Sequence, residues 1–297
     1  MSSCQWLTSY YPMGKTSTAS ILNIPGRIAW MTMELPGPLI LVYAMHQLLA
    51  RSEASGTGPS WAALPWQNKL LAGLFLLHYA HRAVLYPLLQ PSIAPIHALV
   101  WSCAVLFQLL NATCLASWLV SYGPVTASDW GPSPSSASSS AAAAASSESF
   151  FLSLRFAAGL LLFFAGLAGN IFHDEELRRI RRRLGKHDKK NDEKNDEKNN
   201  DERNNDKKTQ GSGGYEVPQA SLFSVVLYPH YLCEWLEWLG FWVAAGTAVG
   251  GCVPARAFLQ NEVVAMLPRA VRGRAWYVAR FGEAKIGRRR AIIPGLL

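Results

Sequence analysis

Charge is scarce in this 297-residue chain: 16% of its residues are Asp, Glu, Lys or Arg, against 50% that are hydrophobic, and 11 are Trp. That much apolar surface exceeds what one water-soluble core of this size buries, which excludes an ordinary soluble enzyme. Cysteine is sparse and unpatterned. Cys4, Cys103, Cys114, Cys233 and Cys252 form no C-x-x-C spacing and no pairing framework, so neither a zinc site nor a disulfide scaffold is supported, and all five read as packing residues. Residues 1–22 lack a compact apolar region followed by a small-residue cleavage site, so the first apolar segment is expected to do the targeting. No G-x-G-x-x-G, Walker loop, H-E-x-x-H or G-x-S-x-G occurs, which leaves soluble nucleotide folds and common hydrolases without support.

The charge that is present is concentrated. Residues 174–208 hold 13 basic and 11 acidic side chains, half of all those in the protein. A formal charge of +8 raises the question of nucleic acid, but the excess Lys and Arg sit in short clusters beside long apolar stretches. That arrangement fits membrane flanks and argues against a nucleic-acid partner.

A hydrocarbon core about 30 Å thick needs roughly 20 apolar residues in a helix. Four segments meet that need, at about 28–50, 67–89, 97–121 and 149–172. A fifth, about 222–250, is rich in Leu, Val and Trp but carries Glu234 and Glu237. A sixth, about 251–268, contains Arg256, Gln260, Asn261 and Glu262, and a charge at mid-bilayer costs about 2.5 to 3.5 kcal/mol. The expected fold is therefore an all-α, multi-spanning membrane bundle of about six helices.

Three stretches organise the chain: residues 1–184 with the first four helices, a low-complexity insert at 185–214, and residues 215–297 with the C-terminal helices and tail. The insert repeats Asn-Asp-Glu-Lys and is expected to be disordered, because it buries too little apolar surface to offset its ordering entropy. Gly131 to Ser147, rich in Ser and Ala, reads as a flexible loop. Arg clusters at 178–183, 269–274 and 288–290 orient the bundle, since Lys- and Arg-rich loops stay cytosolic. With both weak spans crossing, the first two clusters fall on one face and the Ser/Ala loop on the other.

Ionisable groups inside membrane helices are expensive and so mark function. Glu34 interrupts the first span just before Leu35-Pro36, where proline frees a backbone carbonyl. His78, Tyr79, His81 and Arg82 interrupt the second, with His78 and Arg82 on one face and Tyr86 below. Asn170, His173, Asp174, Arg178 and Arg181 close the fourth at helical spacings. Each has a plainer reading: Glu34 near a helix end reaching water, Tyr79 as a packed aromatic, the Arg run as a topology anchor. Asn111-Ala112-Thr113 matches a glycosylation sequon but lies in an apolar helix and carries no weight.

Together these residues resemble the steroid 5α-reductase family, with polyprenol and enoyl-CoA reductases as relatives. The similarity rests on Gly26-Arg-Ile-Ala-Trp-Met-Thr-Met-Glu-Leu-Pro36, Leu77-His-Tyr-Ala-His-Arg-Ala-Val-Leu-Tyr86, Gly169-Asn-Ile-Phe-His-Asp174, Tyr215-Glu-Val-Pro218, Glu234-Trp-Leu-Glu-Trp-Leu-Gly240, Ala275-Trp-Tyr277 and Arg290-Ala-Ile-Ile-Pro294. The resemblance implies an NADPH-dependent enzyme of the endoplasmic reticulum membrane that reduces an α,β-unsaturated ketone of a lipid, most simply a 3-oxo-4-ene steroid or sterol. Polyprenol or very-long-chain enoyl reduction is the alternative within the class. A catalytically impaired homologue serving as scaffold is the alternative outside it, and it tolerates loss of Glu34 and Tyr79.

By the resemblance, Glu34 and Tyr79 hold the substrate carbonyl. Arg82, Asn170, Asp174, Arg178, Arg181, Tyr215, His230, Glu234 and Tyr277 match positions on or near the cofactor. Glu34 either donates as the acid or, ionised, orients the tyrosine; the sequence leaves both open. The chain departs from the family in an absent first helix, in Met33 where a polar residue is common before the Glu, in His230 where Asn is usual, and in Ile93 where a basic residue is frequent.

Overall fold

The computed structural model describes residues 19–131, 139–198, 215–246 and 251–296. The chain is helical almost throughout. A two-residue strand, β1 (Asn23–Ile24), leads into α1 (Gly26–Glu34) and α2 (Pro36–Ser55). The second hydrophobic stretch is one continuous helix, α3 (Trp66–Tyr79), a π-helical turn at Ala80–Leu85, and α4 (Tyr86–Leu89). Strand β2 (Ile96–His97) pairs antiparallel with β1 and opens α5 (Ala98–Ser117), which ends in a second π turn at Trp118–Tyr122. Then come α6 (Ser139–Lys198), α7 (Pro229–Ala244), α8 (Val253–Phe281) and the short α9 (Glu283–Ile286).

Among the described residues, three helical stretches are long and apolar enough to cross a membrane by length and composition: Gly26–Ser55, Ala98–Tyr122 and Phe151–Lys186. The remaining apolar helices carry the polar groups discussed below, and the whole is an all-α membrane bundle. Many large apolar side chains, among them Leu39, Leu110, Phe151 and Leu161, face outward, as a lipid-contacting surface requires.

Two segments differ from the sequence reading. Part of the Ser/Ala stretch and part of the charged insert are helical, because α6 runs without a break from Ser139 to Lys198. Extending an existing helix through Ala, Glu, Lys and Arg costs far less than nucleating one, so composition alone understated the order here. The rest of those segments, 132–138 and 199–214, lies outside the described residues. The expected fifth span also begins later. Residues Ser221–Ser224 form a 3₁₀ turn, and helix α7 starts only at Pro229, whose missing N–H and fixed φ suit a first helical position.

The chain divides into two compact units. The first comprises Met1–Ala168 and Cys233–Pro268. Its core is built on Leu41, Leu71, Phe75, Phe163, Trp238 and Phe241. Helices α6 and α7 approach closely in this unit: a Cβ added at Gly159 would meet Ala244 N at 2.4 Å, and one at Gly166 would meet Glu237 N at 2.3 Å. Small residues seven apart on one helix give the close backbone approach that replaces hydrophobic driving force between helices in lipid.

The second unit comprises Gly169–Leu232 and Arg269–Leu297. Here the chain before α7 pairs with the C-terminal segment, as Leu227 N donates to Arg290 O at 2.9 Å, Tyr228 N to Ala291 O at 2.9 Å, and Arg290 N to Val225 O at 3.0 Å. Ile286, Ala291 and Ile292 are buried beneath. The Tyr228 hydroxyl packs directly over Gly273, leaving no room for a Cβ there.

Candidate active site

Helix α1 ends at Glu34 because the next turn holds Pro36 and Pro38. Neither has the N–H that would bond the carbonyls of Thr32 and Glu34 in a regular helix. Both α1 and α2 pack on α5, and this brings Glu34 beside a residue 74 positions away, Gln108. Gln108 Nε2 donates to Glu34 Oε2 at 2.7 Å. The same nitrogen lies 2.9 Å from Tyr79 Oη, and Gln108 Oε1 lies 3.0 Å from it. One carboxamide therefore joins the carboxyl group and the phenol. Gly37 makes space for it, since a Cβ at that position would stand 2.6 Å from Gln108 Oε1.

Tyr79 ends the regular part of α3, and the π turn that follows re-aims the side chains after it. In that turn Tyr86 N bonds His81 O, an i to i−5 step. The next such bond, to Arg82 O, needs the N–H of residue 87, which is proline. The indole of Trp30 supplies the missing donor, with Nε1 at 3.1 Å from Arg82 O. The Arg82 guanidinium also lies over the Trp30 ring at 4.9 Å and the Tyr86 ring at 5.2 Å. A proline in α4 and a tryptophan in α1 thus fix the backbone on which Tyr79 and Arg82 stand.

Behind Tyr79 lies a second polar layer. His78 Nδ1 donates to Glu237 Oε1 at 2.8 Å, and His78 Nε2 is 4.0 Å from Glu234 Oε1. Arg82 Nη2 is 3.5 Å from Glu234 Oε2. All four residues are buried. Glu262 on α8 interacts electrostatically with Glu34, Glu234, Arg82 and His78. Carboxylates and cations so placed can share charge inside a medium that solvates none of it, which is why they are paired.

The nine residues expected near the cofactor fall in two groups. Arg82 and Glu234 belong to the first unit and pair with each other. Asn170, Asp174, Arg178, Arg181, Tyr215, His230 and Tyr277 belong to the second. There Asn170 Nδ2 donates to His230 O at 3.1 Å, and Phe223 meets His173 edge to face with ring centroids 5.4 Å apart. Arg178 pairs with Glu175 on its own helix. Burial pushes the Tyr277 phenol up to about 12, with Tyr215 adding to the shift and the Arg181 guanidinium opposing it, so Tyr277 is a neutral donor at neutral pH. Tyr215 packs on Trp276 at 4.9 Å, and the Arg280 guanidinium lies 5.5 Å from each of those two rings. The donor set of guanidinium, amide and phenol groups fits a phosphorylated nucleotide.

Sequence reasoning missed Gln108. Its only local signal is a neutral carboxamide in the apolar run Val105-Leu106-Phe107-Gln108-Leu109-Leu110. Glu237 and Glu262 were visible as markers of poor spans, without their partners. Arg280, beside Tyr215, was not singled out either, and Trp276 entered only as part of the Ala275-Trp-Tyr277 motif.

A family model described as 3-oxo-5-alpha-steroid 4-dehydrogenase matches residues 197–297. A Schizosaccharomyces pombe protein named only as uncharacterized is 33% identical, covering 96% of this chain and 91% of that one. Steroid 5-alpha-reductase DET2 of Solanum lycopersicum is 28% identical over 99% of this chain and 90% of its own length. Human 3-oxo-5-alpha-steroid 4-dehydrogenase 1 is 27% identical over 88% of this chain and 77% of its own length.

Proposed function

Because the chain belongs to the steroid 5α-reductase family, we propose that it is an NADPH-dependent reductase of a lipid carbon-carbon double bond conjugated to a ketone, acting in the endoplasmic reticulum membrane. The substrate class in this reading is a 3-oxo-4-ene steroid or sterol, a choice supported by similarity to a steroid 5-alpha-reductase and a 3-oxo-5-alpha-steroid 4-dehydrogenase. The observation that carries this reading is the part-buried carboxyl of Glu34 and the buried phenol of Tyr79 joined by one amide.

NADPH, when bound, supplies a hydride to the β-carbon of the enone. The π electrons of the double bond then move toward the ketone, and negative charge collects on the carbonyl oxygen. In this reading Tyr79 donates its O–H to that oxygen, and Glu34 either donates beside it or steadies the phenol. Donors fixed in advance in a water-poor site stabilise such charge far better than mobile water does. Removing one donor of this type costs about 10²- to 10³-fold in kcat. The α-carbon takes its proton from water, completing the addition of two hydrogens.

Asn170, Asp174, Arg178, Arg181, Tyr215, His230 and Tyr277 are the residues of the second unit that would hold the nucleotide. Guanidinium groups favour a 2′-phosphate through paired, charge-assisted hydrogen bonds, which gives the preference for NADPH over NADH.

The test is incubation of the purified full-length protein in membranes with NADPH or NADH and a panel of enone steroids, polyprenals and enoyl thioesters, read by mass spectrometry. The expected outcome is NADPH-dependent gain of two hydrogens by a 3-oxo-4-ene steroid. Reduction of only the polyprenal or the thioester reassigns the substrate, and reduction of none overturns the proposal.

A further inference from the structure

Among the described residues Gln108 is the polar side chain that bonds both members of the proposed catalytic pair, and while Glu34 is ionised its chemistry allows only one orientation of its amide. A carboxylate can accept but not donate, so the amide must turn its NH₂ toward Glu34 whenever Glu34 is ionised. With Glu34 ionised the flipped amide is excluded. The NH₂ group has two hydrogens. One is committed to Glu34 Oε2 at 2.7 Å, and the other is aimed at Tyr79 Oη, 2.9 Å away.

A phenol oxygen that already accepts a hydrogen bond is free to direct its own proton elsewhere, and it donates more strongly because linked hydrogen bonds polarise one another. We propose that Gln108 is the positioning residue of this site: the ionised Glu34 sets the orientation of the Gln108 amide, and the amide in turn loads Tyr79 so that its O–H points at the substrate carbonyl. The alternative, Tyr79 donating to Gln108 Oε1 at 3.0 Å, is the resting arrangement that an incoming ketone displaces by offering a better acceptor.

Two features show that the amide is built into place. Gln108 is buried in α5, where an unsatisfied carboxamide would be costly, and Gly37 keeps clear the space its oxygen occupies. Met33, next to Glu34, brings no amide or hydroxyl of its own, so the donor to Glu34 arrives from α5 across the bundle.

The inference rests on the reductase reading, and the experiment separates the two. Gln108→Met keeps the volume and removes both donors, which an apolar span tolerates. Gln108→Asn, one methylene short, serves as a second variant if Gln108→Met does not fold. With the protein labelled at the Cζ carbon of tyrosine, the Tyr79 resonance is identified by its loss in Tyr79→Phe. In ligand-free protein this resonance should shift in Gln108→Met, and an unmoved resonance overturns the proposal whatever the substrate.

In turnover, Gln108→Met should lower kcat about tenfold while leaving the KM for NADPH unchanged. In the Tyr79→Phe background the same substitution should cost less than about twofold, because both act through one hydroxyl. Losses that multiply in the double variant overturn the positioning role. If the resonance shifts but no enone is reduced by the wild type, the reductase reading falls and the contact of Gln108 with Tyr79 stands.

Discussion

The buried polar groups of the first unit and the polar groups of the second differ in where most of them find partners. In the first, side chain meets side chain: Glu34 with Gln108, Gln108 with Tyr79, His78 with Glu237, Arg82 with Glu234. In the second, the ion pairs of Arg178 with Glu175 and of Arg183 with Glu216 are more exposed, and other side chains lean on backbone and on rings: Asn170 on the His230 carbonyl, Arg274 on the Arg289 carbonyl at 2.9 Å, Arg269 over Tyr231, Arg280 over Tyr215 and Trp276. Helices in lipid have already spent their backbone hydrogen bonds internally, so a buried polar side chain there has little but other side chains to bond. Such a network has one geometry. The N–H edge of a guanidinium is what a phosphate recognises.

The contrast predicts that substitutions in the first unit change turnover and those in the second change cofactor affinity. Tyr79→Phe is the strongest test. Loss of one donor to the developing oxyanion should lower kcat about 10²-fold with no change in the KM for NADPH. A variant with normal kcat would remove Tyr79 from the chemistry.

Gly37→Ala comes next. Alanine is the better helix former by about 1 kcal/mol, so the helix should hold or gain stability. Its methyl group nevertheless displaces the Gln108 oxygen, and turnover should fall about tenfold. Thermal unfolding in detergent, measured beside activity, separates the two: a fall in both means that the residue serves only packing.

Arg181→Ala probes the other unit. It should raise the KM for NADPH about fivefold to tenfold, leave kcat unchanged, and leave the KM for NADH nearly untouched, since a charge-assisted bond to phosphate contributes roughly 1 to 2 kcal/mol. Equal effects on both cofactors would place Arg181 away from the 2′-phosphate.

How far the sequence anticipated this arrangement depended on how local each signal was. A carboxylate at position 34 and a histidine, tyrosine and arginine cluster at 78–82 announce themselves because charge in an apolar run is costly wherever it sits. The helical bundle was legible for the same reason, through runs of apolar residues. Gln108 was not, because a neutral amide in a helix reads like any satisfied core residue until its partners, 29 and 74 positions away, are in view. The helical part of the charged insert was hidden by composition, which reports solubility more directly than backbone state. Pro87 drew no reading from the sequence. That its missing N–H is replaced by the indole of Trp30 is a tertiary fact with no local trace.

That substitution of donors gives the smallest effect on chemistry and the most specific one on structure. Trp30→Phe keeps the ring under the Arg82 guanidinium and deletes the N–H that serves the Arg82 carbonyl. Leaving that buried acceptor unsatisfied should cost about 1 to 3 kcal/mol, read as a lower unfolding midpoint in detergent, while kcat changes less than about threefold. Adding Pro87→Ala should recover the loss, because alanine at 87 restores a backbone N–H in register with Arg82 O or lets the π turn relax to a regular helix. The same Pro87→Ala change in the wild type gains nothing from that bond, since Trp30 already makes it. Recovery in the Trp30→Phe background alone therefore identifies the carbonyl of Arg82 as the group at stake, and equal shifts in both backgrounds would show that proline and tryptophan act independently.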